Sequence, residues 1–271
     1  MSRYATVLEK PDDAKRFNAL AETLKAALNA KFYKPDLGYY DNGSQTACVL
    51  PLAFGMVPPA ERGRVFGHLV KKITEETHSH MGTGLIGGQW LNRVLADGGR
   101  SDLAYRLLTN TTYPSWGYMA EKGATTVWEL WNGDTADPAM NSGNHVMLVG
   151  DLVIWLNETV AGIRPDPAQP GFKHIVMKPQ PLGDLTEVKA THRSPYGVIA
   201  SEWHREKGSF DWRITVPPNT TATVYVPASR ADSVTESGKP LGEARGIKLL
   251  RMEGATAVIA VESGSYRFAA R

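Results

Sequence analysis

The stretch Arg164-Pro-Asp-Pro-Ala-Gln-Pro-Gly171 divides this sequence of 271 residues into two parts that differ in periodicity. Three prolines and one glycine in eight residues favour turns and interrupt helices and strands, which is typical of a linker. We therefore predict one domain over residues 1–163 and a second over residues 164–271. Each part is long enough to bury a hydrophobic core of its own.

Before this stretch, apolar residues recur at the spacing of α-helices. The first predicted helix begins near Pro11, and its apolar face comprises Phe17, Leu20, Leu24, Ala27 and Leu28. Further helices are predicted over residues 45–56, 59–77, 84–98, 101–110 and 142–160. Turn-forming segments such as Asp97-Gly-Gly99 separate them. Paired helices joined by short loops indicate a toroid of helical hairpins.

After the stretch, the apolar residues alternate with polar ones, as in half-buried β-strands. The clearest run has Phe210, Trp212, Ile214 and Val216 on one face of a strand. Several such runs, broken by Gly, Pro and Asn, predict eight or nine short strands, which form a β-sandwich most simply.

Composition excludes some classes of function. The net charge of +2 comes from evenly mixed charges, so we expect neither a nucleic-acid nor a membrane partner. The one cysteine, Cys48, lies in an apolar run and is predicted to be a buried structural thiol rather than a nucleophile. No run reaches membrane-spanning length and the first residues do not form a signal peptide, which leaves the compartment undetermined.

The segment Tyr113–Trp131 holds three of the seven tryptophans and places Glu129 between Trp128 and Trp131. Two interpretations fit this pattern. Sugar rings stack their apolar faces on indoles, and a carboxylate supplies acid or base for glycosidic chemistry. Alternatively, clustered aromatics are core packing and Glu129 is a solvated side chain.

Ordered motifs favour the first interpretation. They are Ser44-Gln-Thr-Ala47 with Leu50-Pro-Leu52, Gly82-Thr-Gly84, Leu95-Ala-Asp-Gly-Gly-Arg-Ser-Asp-Leu-Ala-Tyr105, Tyr113-Pro-Ser-Trp-Gly-Tyr118, Gly123-Ala-Thr-Thr-Val-Trp-Glu-Leu-Trp131 and Met140-Asn-Ser-Gly-Asn-His145. With them the sequence resembles the C-terminal half of the bacterial α-L-rhamnosidases of glycoside hydrolase family 78. The resemblance implies part of an (α/α)6 barrel followed by an antiparallel β-sandwich. It also implies hydrolysis of terminal α-L-rhamnosides with inversion.

The resemblance assigns roles to single residues. Glu129 matches the general base, and His145 and Asn144 match the motif that lies in the sugar site. Trp116, Trp128 and Trp131 are the candidates for the wall of the pocket, at least one of them being core instead. The alternative for His145 is a core histidine on the predicted helix 142–160.

The general acid has no counterpart here, because in the family it lies in an acidic motif in the first half of the barrel. The available carboxylates are better explained as turn residues, namely Asp41, Asp97, Asp134 and Asp137. We therefore expect an upstream barrel half, a partner chain or a homo-oligomer to cover an open apolar helical face. The alternatives are a non-catalytic carbohydrate-binding or interaction fragment, or a related (α/α)6 glycosidase with another sugar.

Other candidate sites are weaker. His78 and His80 alternate as in some metal pairs, but no further ligands accompany them, so we expect neither a metal nor a cofactor. Trp203, His204 and Trp212 either form a sugar-binding platform or, as their alternation favours, pack inside the sandwich. The expected partner is a rhamnose-containing glycoside or polysaccharide.

Overall fold

A computed structural model describes residues 1–145, 147–148, 150 and 152–271 in full, and residues 146, 149 and 151 by their backbone alone. The chain forms two compact units, Met1–Asp151 and Leu152–Arg271. Helices make up the first unit and mostly antiparallel sheets the second, so the predicted fold class is confirmed. The predicted domain boundary after residue 163 stays a prediction.

The first unit contains short and medium helices. They are α1 (Ser2–Val7), α2 (Pro11–Phe32), α3 (Gln45–Ala53), α4 (Arg62–Lys71), α5 (Leu85–Asp97), α6 (Ser101–Thr109), α7 (Trp116–Glu121) and α8 (Val149–Trp155), the last of which continues into the second unit. A two-stranded hairpin, β1 (Tyr33–Lys34) with β2 (Tyr39–Tyr40), joins α2 to α3.

Several predicted boundaries were wrong. The predicted helix 59–77 is a 3-10 turn (Pro59–Glu61), then α4, then a π turn (Lys72–Glu76). The predicted helix 142–160 begins only at a 3-10 turn (Val146–Leu148) and ends in a π turn (Leu156–Val160). Because these turns continue the chain direction of a helix, apolar periodicity alone does not separate them from it. α1, α7 and the hairpin were not predicted.

The core of the first unit lies between α3, α4, α5 and α6. Its fully buried side chains include Cys48, Leu69, Leu91, Leu95 and Leu103, which confirms the prediction of a buried thiol. In contrast, α2 has no buried residue. Its apolar positions Leu20 and Leu24 are exposed, as are Tyr4, Val7 and Leu8 on and after α1. We call these five residues the α1–α2 face.

Two sheets form the second unit. Their strands are β3 (Ile163–Pro165), β4 (His174–Met177), β5 (Glu187–Ser194), β6 (Gly197–Glu206), β7 (Ser209–Val216), β8 (Thr221–Pro227), β9 (Val234–Glu236), β10 (Lys239–Pro240), β11 (Ile247–Met252), β12 (Thr256–Val261) and β13 (Gly264–Ala270). The six-stranded sheet has the order β10-β9-β13-β7-β6-β5, and the five-stranded sheet β11-β12-β8-β4-β3. There are more strands than predicted because β9 and β10 are too short to show alternation. One pair, β4 with β8, is parallel.

The tryptophans of the sandwich are packing residues. Trp203 and Trp212 are fully buried, which confirms core packing over a sugar-binding platform, while His204 faces outward. The buried Ser201 hydroxyl donates to the carbonyl of Ala161 (2.6 Å) and accepts the indole N–H of Trp212 (2.9 Å). The indole of Trp203 donates to the carbonyl of Val160 (2.9 Å).

The predicted linker is largely part of this unit. Residues Arg164 and Pro165 belong to β3, which pairs with β4, and Asp166 and Gln169 close the following turn. The prolines therefore end a short strand and form a turn, rather than making a free connection. No helix in the described part of the chain is long and apolar enough to cross a bilayer.

Candidate active site

Two segments of the first unit, residues 126–130 and 141–145, lie side by side and hold the predicted base. The backbone N–H of Glu129 donates to the carbonyl of Ser142 (2.9 Å), and that of His145 donates to Val127 (2.7 Å). The side chain of Asn141 accepts the N–H of Leu130 (3.0 Å). The paired segments therefore bring Glu129 and His145 together.

The carboxylate of Glu129 has one oxygen held and one open. Its Oε2 accepts the backbone N–H of Ser142 at 3.1 Å, and the Nδ1 of His145 lies 3.7 Å from the same oxygen. Its Oε1 accepts no hydrogen bond from any residue that the structure describes. The side chain as a whole is 42% exposed.

His145 combines burial with an unused ring nitrogen. Its side chain is only 13% exposed, and Nε2 is buried without a hydrogen-bond partner among the described residues. A buried polar atom without a partner costs about 1–3 kcal/mol. His145 precedes the 3-10 turn rather than lying on a long helix, and the choice between a sugar-site and a core histidine stays a prediction.

The tryptophans divide into packed and accessible ones. Trp116 is buried, and its ring lies edge-on to Trp131 with centroids 5.0 Å apart. Trp131 is half-buried and its indole donates to the carbonyl of Thr83 (2.8 Å). Trp128 is half-buried against Gly133, where an added Cβ would lie 2.6 Å from the indole. The ring of Trp116 is therefore packed in the core, although its indole nitrogen has no hydrogen-bond partner within the described part of the chain.

The next predicted residues to locate are Asn144 and the carboxylates Asp137 and Asp134. Asn144 is exposed, and its backbone N–H lies 3.4 Å from the hydroxyl of Ser142. Asp137 accepts the N–H of Ala139 (2.9 Å), as expected of a turn residue. Asp134 instead accepts the hydroxyl of Tyr118 with both oxygens at 3.0 Å. This negative charge and partial desolvation raise the pKa of the Tyr118 phenol, desolvation being the larger cause.

The other two carboxylates lie at chain reversals. Asp41 adopts a left-handed backbone (φ 48°) just after β2, and Asp97 is the last residue of α5. His80 uses both ring nitrogens, one with the carbonyl of Thr77 and one with the hydroxyl of Thr112, each at 2.8 Å. No group of three or more His, Cys, Asp or Glu side chains suited to a metal ion occurs among the described residues.

Sequence reasoning missed the residues that support Glu129. The hydroxyl of Thr126 donates to the carbonyl of Gly143, beside the bonds that Asn141 and Ser142 make. The polar run Asn141-Ser-Gly-Asn144 was noted as a motif. The N–H of Ser142 and the carbonyl of Gly143 are backbone groups, however, and side-chain identities do not reveal their hydrogen bonds.

Comparison with known proteins connects this arrangement to a family. Residues 1–160 match the model of the bacterial α-L-rhamnosidase six-hairpin glycosidase domain. Residues 162–240 match the bacterial α-L-rhamnosidase C-terminal domain. An α-L-rhamnosidase of Streptomyces avermitilis is 37% identical over 98% of the chain, and one of Formosa agariphila is 34% identical over 100%. The chain spans 25% and 29% of these relatives, respectively.

Solved structures agree. The crystal structure of the Streptomyces avermitilis α-L-rhamnosidase complexed with L-rhamnose has a TM-score of 0.90 and 36% identity, over 100% of this chain and 25% of that one. The α-L-rhamnosidase from Dictyoglumus thermophilum also has a TM-score of 0.90, with 35% identity over 100% of this chain and 30% of that one.

Proposed function

Since the chain belongs to the bacterial α-L-rhamnosidase family, we propose that it forms part of an enzyme that hydrolyses terminal α-L-rhamnosides with inversion. Glu129 is the general base of this proposal. The observation that carries it is the unequal environment of the two carboxylate oxygens. Oε2 is held by the N–H of Ser142 and faces His145, whereas Oε1 accepts no hydrogen bond from the described residues, on a side chain that is 42% exposed.

This geometry suits the base of an inverting glycosidase. Such a base removes a proton from a water molecule that attacks the anomeric carbon, while an acid on the opposite face protonates the leaving oxygen. The two carboxyl groups stand about 6.5–9.5 Å apart so that the water fits between them. Hydrogen bonding by Ser142 fixes the direction of the carboxylate, and Oε1 keeps its lone pairs for the water.

Binding of the sugar falls to the neighbours of Glu129. The Nε2 of His145 is buried, so a sugar hydroxyl reaches it only when the side chains that cover it move, and that contact then recovers part of the cost of leaving Nε2 unpaired. Trp128 and Trp131 are half-buried and offer ring surface for stacking, whereas Trp116 supports Trp131 from behind. Asn144, which is exposed, contributes an amide that both donates and accepts hydrogen bonds.

The general acid is proposed to lie in a part of the protein outside these residues. The chain spans about a quarter of the length of the curated relatives it matches. The α1–α2 face is where we place that further part, because five large apolar side chains stand in solvent there. Exposed apolar patches beyond a few hundred Å² mark interaction sites in soluble proteins.

The test of the base is Glu129→Gln in a protein that contains both this chain and an upstream barrel half. The amide keeps the shape but accepts no proton, so we expect kcat on p-nitrophenyl α-L-rhamnopyranoside to fall about 10²-fold or more. Rhamnose binding should be retained. Glu121→Gln, at an exposed position of α7, is the matched control and should leave turnover unchanged. An equal loss in both variants contradicts the assignment.

The location of the acid is tested with the 271-residue chain alone. We expect no hydrolysis by the chain alone and hydrolysis when the upstream half of a related barrel is added. Hydrolysis by the chain alone would mean that it carries its own acid. Rhamnose binding without hydrolysis under either condition would indicate a non-catalytic carbohydrate-binding fragment.

A further inference from the structure

The outer face of the six-stranded sheet carries a second set of polar side chains, remote in sequence from Glu129. Register places them in rows across the strands. Glu202 of β6 pairs with Arg213 of β7, which pairs with Arg267 of β13. On one side of this charged row lie Asp211, Ala269 and Thr235, paired in that order. On the other side lie Ala200, Thr215 and Ser265.

The alternation of large and small side chains creates two depressions. Arg267 and the turn residue Ser237 border both of them. The larger depression, which we call the outer trough, has a volume of about 820 Å³ and is lined by Asp211, Asp232, Thr235, Arg267, Ala269 and their neighbours. The smaller has about 370 Å³. Small-molecule sites typically occupy ~300–1,000 Å³, so the outer trough is large enough for a ligand.

A tight turn forms one wall of the outer trough. Ser237 and Gly238 both have positive φ angles (48° and 79°), as a two-residue hairpin turn between β9 and β10 requires. The backbone N–H of Ser237 donates to the carbonyl of Arg267 (2.8 Å), which fixes the turn against β13. The wall is therefore built by backbone geometry rather than by a mobile side chain.

The floor presents donors and an acceptor next to one another. Arg267 directs its Nε and Nη2 groups to a single oxygen of Asp211, Oδ2, at 2.9 and 2.8 Å. The other oxygen, Oδ1, receives only a long contact of 3.3 Å. The Nη1 group donates no hydrogen bond to the residues that the structure describes. This ion pair also raises the pKa of Arg267, and an arginine guanidinium stays charged in proteins in any case.

We propose that the outer trough binds a neutral saccharide. Vicinal hydroxyls of a sugar both donate and accept, so one can donate to Oδ1 of Asp211 while its neighbour accepts from Nη1 of Arg267. Each aspartate of the lining is ion-paired, Asp211 with Arg267 and Asp232 with the adjacent Arg230, so the trough offers an anion only the single charge of Arg271. Its small side chains offer little apolar surface to a hydrophobic ligand.

This site is distinct from the proposed active site and lies wholly within the second unit. It goes beyond the proposed function, because its saccharide is bound and not cleaved. Hydrogen bonds exposed to water contribute little each, and the described residues that line the trough include no aromatic ring. We therefore expect weak binding, with Kd of about 1–10 mM.

The test uses the complete 271-residue chain, labelled with ¹⁵N, and amide spectra recorded during titration with L-rhamnose, D-glucose and D-glucuronate. We expect at least one neutral sugar to shift the amides of Thr235, Ser237, Gly238 and Ala269, in the wild type and equally in Glu129→Gln. Glucuronate should not bind more tightly than glucose. Absence of shifts at these amides with both neutral sugars up to ~100 mM, far above the expected Kd, overturns the proposal. Tighter binding of glucuronate, lost in high salt, overturns it in favour of an anion site.

Matched variants locate the binding. Ala269→Trp fills the outer trough, whereas Ala260→Trp makes the same change at a half-exposed alanine on the outer face of the five-stranded sheet. We expect Ala269→Trp to weaken binding at least tenfold and Ala260→Trp to leave it unchanged. Asp211→Asn, which keeps size but loses the charged acceptor, should weaken binding even if Ala269→Trp proves poorly folded. Wild-type affinity in a folded Ala269→Trp or in Asp211→Asn contradicts the assignment.

Discussion

Substitution of Ser201 by alanine removes only one oxygen atom, yet it should destabilise the second unit strongly. Ser201 is fully buried on the inner face of β6. Its hydroxyl connects two other buried groups, since it accepts from the indole of Trp212 and donates to the carbonyl of Ala161. Through Ala161, it ties the segment before β3 to strand β6 of the six-stranded sheet.

The magnitude follows from the groups that lose their partners. Alanine leaves the indole N–H of Trp212 and the carbonyl of Ala161 unpaired in a site that excludes water. Each unsatisfied buried group costs about 1–3 kcal/mol, so we expect a loss of about 2–6 kcal/mol. The total stability of a domain is about 5–15 kcal/mol, so this is a large fraction of it.

Urea unfolding, followed by tryptophan fluorescence and far-ultraviolet circular dichroism, measures this loss. The fluorescence is informative because Trp203 and Trp212 report on the same core. Ser265→Ala is the matched control, since Ser265 is exposed on the outer face of β13, and it should change stability by less than about 0.5 kcal/mol. A loss below about 1 kcal/mol in Ser201→Ala would refute the reasoning, because it would show that the two groups find other partners.

Further predictions concern the first unit. Burial raises the pKa of the Cys48 thiol from 9.0 to about 11, so the contribution of this thiol to stability should be constant below pH 9 and be lost between pH 9 and 11, where only the unfolded thiol ionises. In Cys48→Ala, the free energy of unfolding, measured by urea titration, should fall by about 2–3 kcal/mol less between pH 9 and 11 than in the wild type. Gly133→Ala should displace the Trp128 indole and cost about 1–3 kcal/mol, seen by near-ultraviolet circular dichroism. Gly143→Ala, where an added Cβ meets nothing within 4 Å, is its control and should leave the spectrum unchanged. Trp131→Phe removes the bond to Thr83 and should weaken rhamnose binding in calorimetric titrations without unfolding the chain.

The sequence predicted the order of secondary structure well because periodicity records which face of each element is buried. α3, α5 and α6 lie close to their predicted ranges, and the change from helices to strands was located within a few residues of β3. Short elements were missed for a physical reason. α7 has six residues and β10 has two, so neither completes enough repeats to show a period.

The sequence nominated candidate site residues but not their geometry. Glu129 and His145 were named from motifs, yet their proximity depends on the pairing of two irregular segments that have no periodic pattern. The hydrogen bond from Ser142 to Oε2 of Glu129 comes from the backbone, so any residue except proline at that position would supply the donor. Motif resemblance therefore nominates the side chains, whose roles stay a prediction, and the structure adds which groups contact them.

The apolar face of α2 was predicted from its spacing in the sequence, although no residue of that helix is buried. An isolated helix of 22 residues gains little from propensity alone, and most helical stability in proteins comes from packing of an apolar face. Full burial of a side chain such as Leu20 or Leu24 contributes about 1.5–3 kcal/mol relative to exposure. Five such side chains on the α1–α2 face thus represent stabilisation on the order of 10 kcal/mol that these residues do not realise by themselves. On the proposed function the apolar face of α2 is a contact surface, and we expect its occupant to be the part of the protein that carries the general acid.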